Sequence, residues 1–237
     1  MREVLKVFLW GQEIGRLSWH DARKTTFFVY NPEFLKGSLD VAPLAASIHH
    51  PLSTRAIFGE AERIYQKLPS FIADSYEKLF AVCRKLHLPE VDCQELFRRM
   101  VFNILANNAD DHHKNFTFIM DRQGRWRLSP AYDMTYIFDS GGYLPNKEHC
   151  LMIGGKYQDI TLDDIISFAS ENGIRAPKSI INKVATAVST FRSLAKKNGV
   201  SDEWTGRVET TIIDHLKAWG EWNEENNTAL FLQVIKE

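Results

Sequence analysis

The rhythm of hydrophobic positions changes about a quarter of the way along the chain. VLKVFLW (4–10) is a short apolar run, EIGRLSW (13–19) alternates, and TTFFVY (25–30) is β-branched and aromatic. With a tight turn at Gly11-Gln12, this pattern predicts a hairpin and a third strand closed by Asn31-Pro32. Phe8, Trp10, Phe27 and Phe28 are expected to form the core of this small module. Residues 36 to 60, with Pro43, Pro51 and Gly59, read as loop.

From residue 61 the spacing becomes helical. AERIYQKL (61–68) predicts a short helix ending before Pro69. SYEKLFAVCRKL (75–86) puts Leu79, Val82, Cys83 and Leu86 on one side and stops before Pro89. Next, Asp92 reads as an N-cap with Glu95 three residues on. Leu96, Phe97, Met100, Val101, Ile104 and Leu105 then recur at helical spacing. So wide an apolar face predicts a buried core helix, running out at Asn107-Asn108.

A polar loop, ADDHHKN (109–115), then leads into FTFIM (116–120), a turn at 121–124, RWRL (125–128) and SPAYD (129–133). The two apolar runs predict a hairpin with Phe116, Phe118 and Trp126 in its core. Further helices are expected at 161–173 with Thr161 as N-cap, at 177–199 with Pro177 in its first turn, and at 202–222. Trp204, Trp219 and Trp222 read as packing on the last of these, before a polar tail. The fold class expected is α+β, a small β-rich N-terminal module (residues 1–74) followed by a mainly helical domain (75–237).

Composition narrows the function classes. The 237 residues suffice for one large domain or two small ones, and 44% hydrophobic with 25% charged residues is an ordinary globular balance. A net charge of −1 disfavours direct nucleic-acid binding across a whole surface. Cys83, Cys93 and Cys150 lack metal-site spacing and read as reduced thiols of a cytoplasmic protein. The apolar stretch before Gly11 is too short for a signal-peptide core, and no run approaches a membrane span.

The candidate chemistry lies around the hairpin. Asp110 is followed by Asn115 five residues later and by Asp133 eighteen after that. Asn and Asp supply hard oxygen ligands suited to Mg²⁺, and a second Asp can accept a proton from an attacking hydroxyl. This is the D-x-x-x-x-N layout of a kinase catalytic loop with a later metal-binding Asp. Asp111 reads as the solvated member of the Asp110-Asp111 pair, and Lys114 as solvated or touching a phosphate. His112 and His113 beside two Asp leave open a metal-dependent hydrolase, although adjacent residues rarely aim at one ion. His149 and His215 read as isolated.

NILANNADDHHKNFTFIM followed by GRWRLSPAYDM closely resembles the C-terminal part of HipA-type kinases, the toxin members of bacterial toxin–antitoxin pairs. The resemblance covers roughly residues 75 to 220, and residues 1 to 75, including KLPSFIADS (67–75), also resemble that family's small N-terminal subdomain. The resemblance implies a protein-kinase C-lobe-like domain and phosphoryl transfer from ATP to a Ser or Thr hydroxyl. It makes Asp110 the catalytic base and Asn115 and Asp133 the ligands of Mg²⁺ under the ATP phosphates. His112 would orient the loop and, with Lys114, face the nucleotide. The sequence departs from the family pattern in having no glycine-rich phosphate loop or phosphate-binding strand Lys before the catalytic loop. Gly141-Gly142 and Gly154-Gly155 follow Asp133 instead. Phosphoryl transfer by this chain alone is therefore not expected. Its competing reading is a non-catalytic binding module for a HipB-like helix-turn-helix antitoxin.

Overall fold

The computed structural model describes residues 4–20, 25–37, 39, 57–59, 74–137 and 148–220. The helix expected at 61–68, Gly141-Gly142, Trp222 and the polar tail lie outside the described residues.

Three strands follow the N-terminal pattern: β1 (Val4–Leu9), β2 (Gln12–His20) and β3 (Thr25–Tyr30). A fourth, β4 (Ile57–Gly59), pairs antiparallel with β3 and completes a sheet of order β1-β2-β3-β4. The loop expected over 36–60 thus contains a strand, because pairing with the β3 edge overrides weak local preference. Trp10 and Gly11 both have positive φ (48° and 85°) and form the two-residue turn between Leu9 and Gln12. Asn31 then caps a short helix, α1 (Pro32–Leu35), by accepting from Glu33 N at 2.9 Å.

The core of this sheet is Tyr30 stacked on Phe34 at 5.9 Å, with Ile14, Phe28, Leu35 and Leu39 packed around them. Gly15 permits that packing, since a Cβ there would lie 2.4 Å from the Phe28 ring. Phe8 and Trp10 are exposed, contrary to expectation. They belong to the outer strand and its turn, away from the Tyr30–Phe34 cluster.

The larger core is helical. α2 (Tyr76–Lys85) begins at the Ser75 cap, and α3 (Glu90–Leu105) crosses the centre against α2 and two later helices, α5 (Pro177–Ser189) and α7 (Asp202–Gly220). Leu96, Phe97, Met100, Val101 and Leu105 are fully buried, as the apolar face predicts. α3 starts at Glu90 after Pro89, so Asp92 is not its cap. Pro89 sets the helix entry, which frees the Asp92 carboxylate for another partner.

β5 (Phe118–Met120) and β6 (Trp126–Leu128) form the expected hairpin. Phe116 is buried, and Phe118 and Trp126 are half-buried. Asp121 makes the turn by accepting from the backbone N–H of Gln123 and of Arg125, both at 2.9 Å. α4 (Leu162–Glu171) carries a full capping box between Thr161 and Asp164. The helix expected over 177–199 divides into α5 and α6 (Phe191–Lys197). Thr190 ends α5, its hydroxyl donating to the Ala187 carbonyl at 2.7 Å. Trp219 is buried on α7, whereas Trp204 is exposed under the Arg207 guanidinium.

Candidate functional site

α3 positions the site through a line of buried polar residues that continues just past its end. Asp92, Arg99, Asn103 and Asn107 recur close to helical spacing, and the structure buries all four. Asp92 accepts from Arg127 Nε and NH2 at 2.7 and 2.9 Å and from Leu128 N at 2.9 Å. Burial pushes its carboxyl up, but the Arg127 guanidinium and the Leu128 N–H outweigh that and hold it below the ordinary range. Arg99 donates to the Ser129 carbonyl at 2.7 Å. The hairpin and the segment leading to Asp133 are therefore strapped along α3.

At the end of α3 the chain turns through Asn107, whose φ of 55° is left-handed. Asn107 Nδ2 donates to the Ile137 carbonyl at 2.9 Å, and Ile137 N returns a bond to the Asn107 carbonyl at 3.1 Å. Asn108 donates to Asn103 Oδ1 at 3.0 Å and reaches the Asp133 carbonyl at 3.5 Å. On the other side Tyr132 donates its hydroxyl proton to the Lys114 carbonyl at 2.5 Å and lies 2.6 Å from Thr117 Oγ1. Residues 132–137 thus run alongside the loop at 107–117. Asp133 lies in this segment with a left-handed backbone (φ 54°) and an exposed side chain.

The two adjacent aspartates have opposite environments. Asp111 is fully buried, which corrects the expectation that it is the solvated one. Its carboxylate accepts from Tyr76 OH at 2.7 Å, Cys150 N at 2.8 Å and Leu151 N at 3.4 Å, and it meets His149 Nδ1 at 3.1 Å. His149 is therefore not isolated but a buried partner of Asp111. Burial, and then the Asp111 charge, push the Tyr76 phenol well above its ordinary range, so it stays protonated and donates. Asn103 donates to the same Tyr76 oxygen at 2.9 Å. The network running Asn108–Asn103–Tyr76–Asp111–His149 fixes the loop from below.

With Asp111 turned inward, Asp110 is left outward, its side chain 47% exposed. Cys150 Sγ lies 3.6 Å from Asp110 Oδ1, and His112 Nε2 lies 3.9 Å from the same oxygen. Burial and the charges of Asp111 and Asp110 push the Cys150 thiol up to about 11, so the thiol is the donor. His112 Nδ1 is a buried atom with no hydrogen-bond partner among the described residues. Burial, then His112 and Lys114, pull the His113 imidazole below its ordinary range. Lys114 is exposed.

Asn115 lies in a single 3₁₀ turn (His113–Asn115), and its Nδ2 donates to the Asp110 carbonyl at 2.9 Å. That bond fixes the amide's orientation and leaves Oδ1 available. Among the described residues, neither this oxygen nor the Asp133 carboxylate has a hydrogen-bond donor. One neutral and one charged oxygen on adjoining segments are a donor set suited to Mg²⁺. No group of three His, Cys, Asp or Glu among the described residues could hold a metal ion, so the hydrolase reading gains no support.

The structure places the three residues singled out by spacing, Asp110, Asn115 and Asp133, on adjoining segments, and supports them with Asp111, Tyr76, Asn103 and His149, which spacing did not single out. A signal for Asn103 existed in that polar line along α3. His149 is distant in sequence from Asp111, which its side chain meets, and has no local signal.

Comparison with known proteins shows the family and the fold. The family model for the HipA-like C-terminal domain matches residues 48–191. "Putative kinase Y4mE" of Sinorhizobium fredii is 29% identical over 157 residues, 60% of this chain and 36% of that protein. The serine/threonine-protein kinase toxin HipA of Shewanella oneidensis is 33% identical over 63 residues, 27% of this chain and 14% of the toxin. A solved complex of Shewanella oneidensis MR-1 HipA, HipB and operator DNA matches with a TM-score of 0.50 at 18% identity. That match covers 61% of this chain and 35% of the solved chain, and it supports the α+β fold with a kinase-like C-terminal domain. The chain spans about a third or less of the length of the relatives it matches. The family model covers more than half of the chain, which belongs to the HipA-like C-terminal domain family.

Proposed function

We propose that this member of the HipA-like C-terminal domain family carries the base-and-metal half of a phosphoryl-transfer site that uses ATP and a protein Ser or Thr hydroxyl. The observation that carries the reading is the division of labour between Asp110 and Asp111. A fully buried Asp111 anchors the loop, so that Asp110 is presented outward beside Asn115 and the Asp133 segment. In this reading Asp110 accepts the proton of the attacking hydroxyl, with Cys150 and His112 beside its carboxylate. Asn115 Oδ1 and the Asp133 carboxylate would hold Mg²⁺, which would supply positive charge against the phosphate oxygens. Lys114, exposed on the same turn, would face the nucleotide.

The sequence lacks a glycine-rich loop and its strand Lys, and those parts position the phosphates. Nucleotide binding without appreciable turnover is therefore the activity expected of this chain by itself. The test is equilibrium binding of ATP to the purified protein with Mg²⁺ and with EDTA in its place. Saturable binding only with Mg²⁺ supports the reading; binding indifferent to Mg²⁺ overturns it.

A second reading is favoured by the uncovered apolar side chains of the N-terminal sheet, among them Val4, Leu5, Phe8, Trp10 and Trp19. A structural relative was solved in a complex with HipB, and a HipB-like antitoxin is the partner this surface would serve. Co-elution with such a helix-turn-helix protein, lost in the Phe8→Glu, Trp10→Glu double variant, would support this partner. Failure to co-elute would remove it.

A further inference from the structure

The segment carrying Asp133 is tied to the Asn115 turn by the hydroxyl of the residue just before Asp133. Tyr132 OH donates to the Lys114 carbonyl at 2.5 Å and lies 2.6 Å from Thr117 Oγ1. A phenol has one proton and a carbonyl can only accept, so that proton goes to Lys114 and the Thr117 hydroxyl donates to Tyr132. The result is a directed chain of hydrogen bonds, Thr117 to Tyr132 to Lys114, in which each bond polarises the next. Both outer members stand on fixed backbone. Ser129 N holds the Thr117 carbonyl at 2.8 Å beside the β5–β6 hairpin, and Lys114 belongs to the 3₁₀ turn that also contains Asn115.

Immediately after Tyr132 the backbone turns left-handed at Asp133 (φ 54°). A residue other than glycine keeps such a backbone where its surroundings fix both sides of it. Tyr132 fixes one side. On the other, Thr135 donates to Asn108 Oδ1 at 3.4 Å, Asn108 reaches the Asp133 carbonyl at 3.5 Å, and Asn107 and Ile137 exchange two bonds.

We propose that Tyr132 is the positioning residue of the Asn115–Asp133 pair, and that its clamp gives the pair a preference for a small divalent cation such as Mg²⁺ over Ca²⁺. The inference rests on the reading of these two residues as metal ligands. Mg²⁺ demands short bonds in near-ideal octahedral geometry, whereas Ca²⁺ accepts longer and more variable ones. Ligands on two separate segments meet the stricter demand only when the segments are held at a fixed spacing. The Tyr132 hydroxyl bonds to Lys114 and Thr117, so it acts on Asn115 and Asp133 through the backbone. Tyr132 is also 41% exposed, so in Tyr132→Phe water can replace the lost hydroxyl at both partners. Removing it should therefore loosen the spacing with little effect on stability.

The test is the ATP affinity of wild type, Tyr132→Phe, Thr117→Val and the double variant, each measured with Mg²⁺ and with Ca²⁺, beside thermal unfolding of each protein. Wild type is expected to bind ATP more tightly with Mg²⁺ than with Ca²⁺. Tyr132→Phe should unfold at the wild-type temperature, lose roughly tenfold in Mg²⁺-supported affinity, the scale of one hydrogen bond, and change little with Ca²⁺. Thr117→Val should move in the same direction, and the double variant should be no worse than Tyr132→Phe, because both substitutions break one chain. Thr117→Val keeps the aromatic ring and carries the test should Tyr132→Phe fail to fold. A wild-type Mg²⁺ preference in folded Tyr132→Phe would overturn the clamp, as would an equal loss of affinity with both cations. Absence of cation-dependent binding in wild type would instead overturn the assignment of Asn115 and Asp133 as ligands, and the clamp with it.

Discussion

At the scale of the residue, two neighbouring aspartates carry different burdens, and substitution should separate them. Asp111→Ala removes the acceptor for Tyr76, Cys150 N and Leu151 N at a fully buried position. It should cost about 3–5 kcal/mol, because buried donors are left without a partner. Asp110→Ala should stay within about 0.5 kcal/mol of wild type, as an outward side chain does. Urea unfolding of the two variants measures both, and equal losses would contradict the division of roles. The sequence shows two identical letters here, so no local pattern could say which one turns inward. The choice is made by Tyr76, 35 positions earlier in the chain, and by His149, 38 positions later.

At the scale of the element, α3 both fills the core and straps the hairpin. Its apolar face was legible from spacing alone, and Met100, fully buried there, tests the packing. Met100→Ala should cost about 2–5 kcal/mol, and Met100→Asp should abolish the cooperative fold by burying an unpaired charge. A soluble, cooperatively unfolding Asp variant would refute the placement. The polar side of α3 was less legible. Asp92 has the residue type and spacing of a cap, yet it serves the hairpin through Arg127 and Leu128. Because its folded carboxyl is held below the ordinary range, its contribution is present above the unfolded carboxylate value of about 3.9. That contribution is lost as pH falls through the lower folded value. Asp92→Ala should destabilise by about 1–3 kcal/mol at pH 7, given the buried Leu128 N–H left unpaired, and by much less near pH 2. An undiminished difference in acid would contradict the strap. Where helix spacing continued past Thr190, only the local hydroxyl bond marked the break between α5 and α6.

At the scale of the whole molecule, the described residues hold two separate apolar clusters, one at Tyr30 and Phe34 and one through the helices. The change of rhythm along the sequence anticipated that separation, although not the exposure of Phe8 and Trp10 on the outer strand. We read residues 1–74 and 75–237 as distinct domains. A chain starting at residue 74 should then unfold in one cooperative transition, and loss of that transition would argue against the division. Among the described residues no helix is long and apolar enough to cross a membrane.

The central claim is that Asp110, Asn115 and Asp133 together form the base-and-metal half of a nucleotide site, with separable roles. Calorimetric titration of Mg²⁺-ATP into wild type, Asp133→Asn and Asp110→Asn tests it most directly. Saturable heat is expected in wild type and in Asp110→Asn, and none in Asp133→Asn, whose amide cannot replace the charged ligand. Undiminished binding in Asp133→Asn, or no binding in wild type at millimolar ATP, would contradict it.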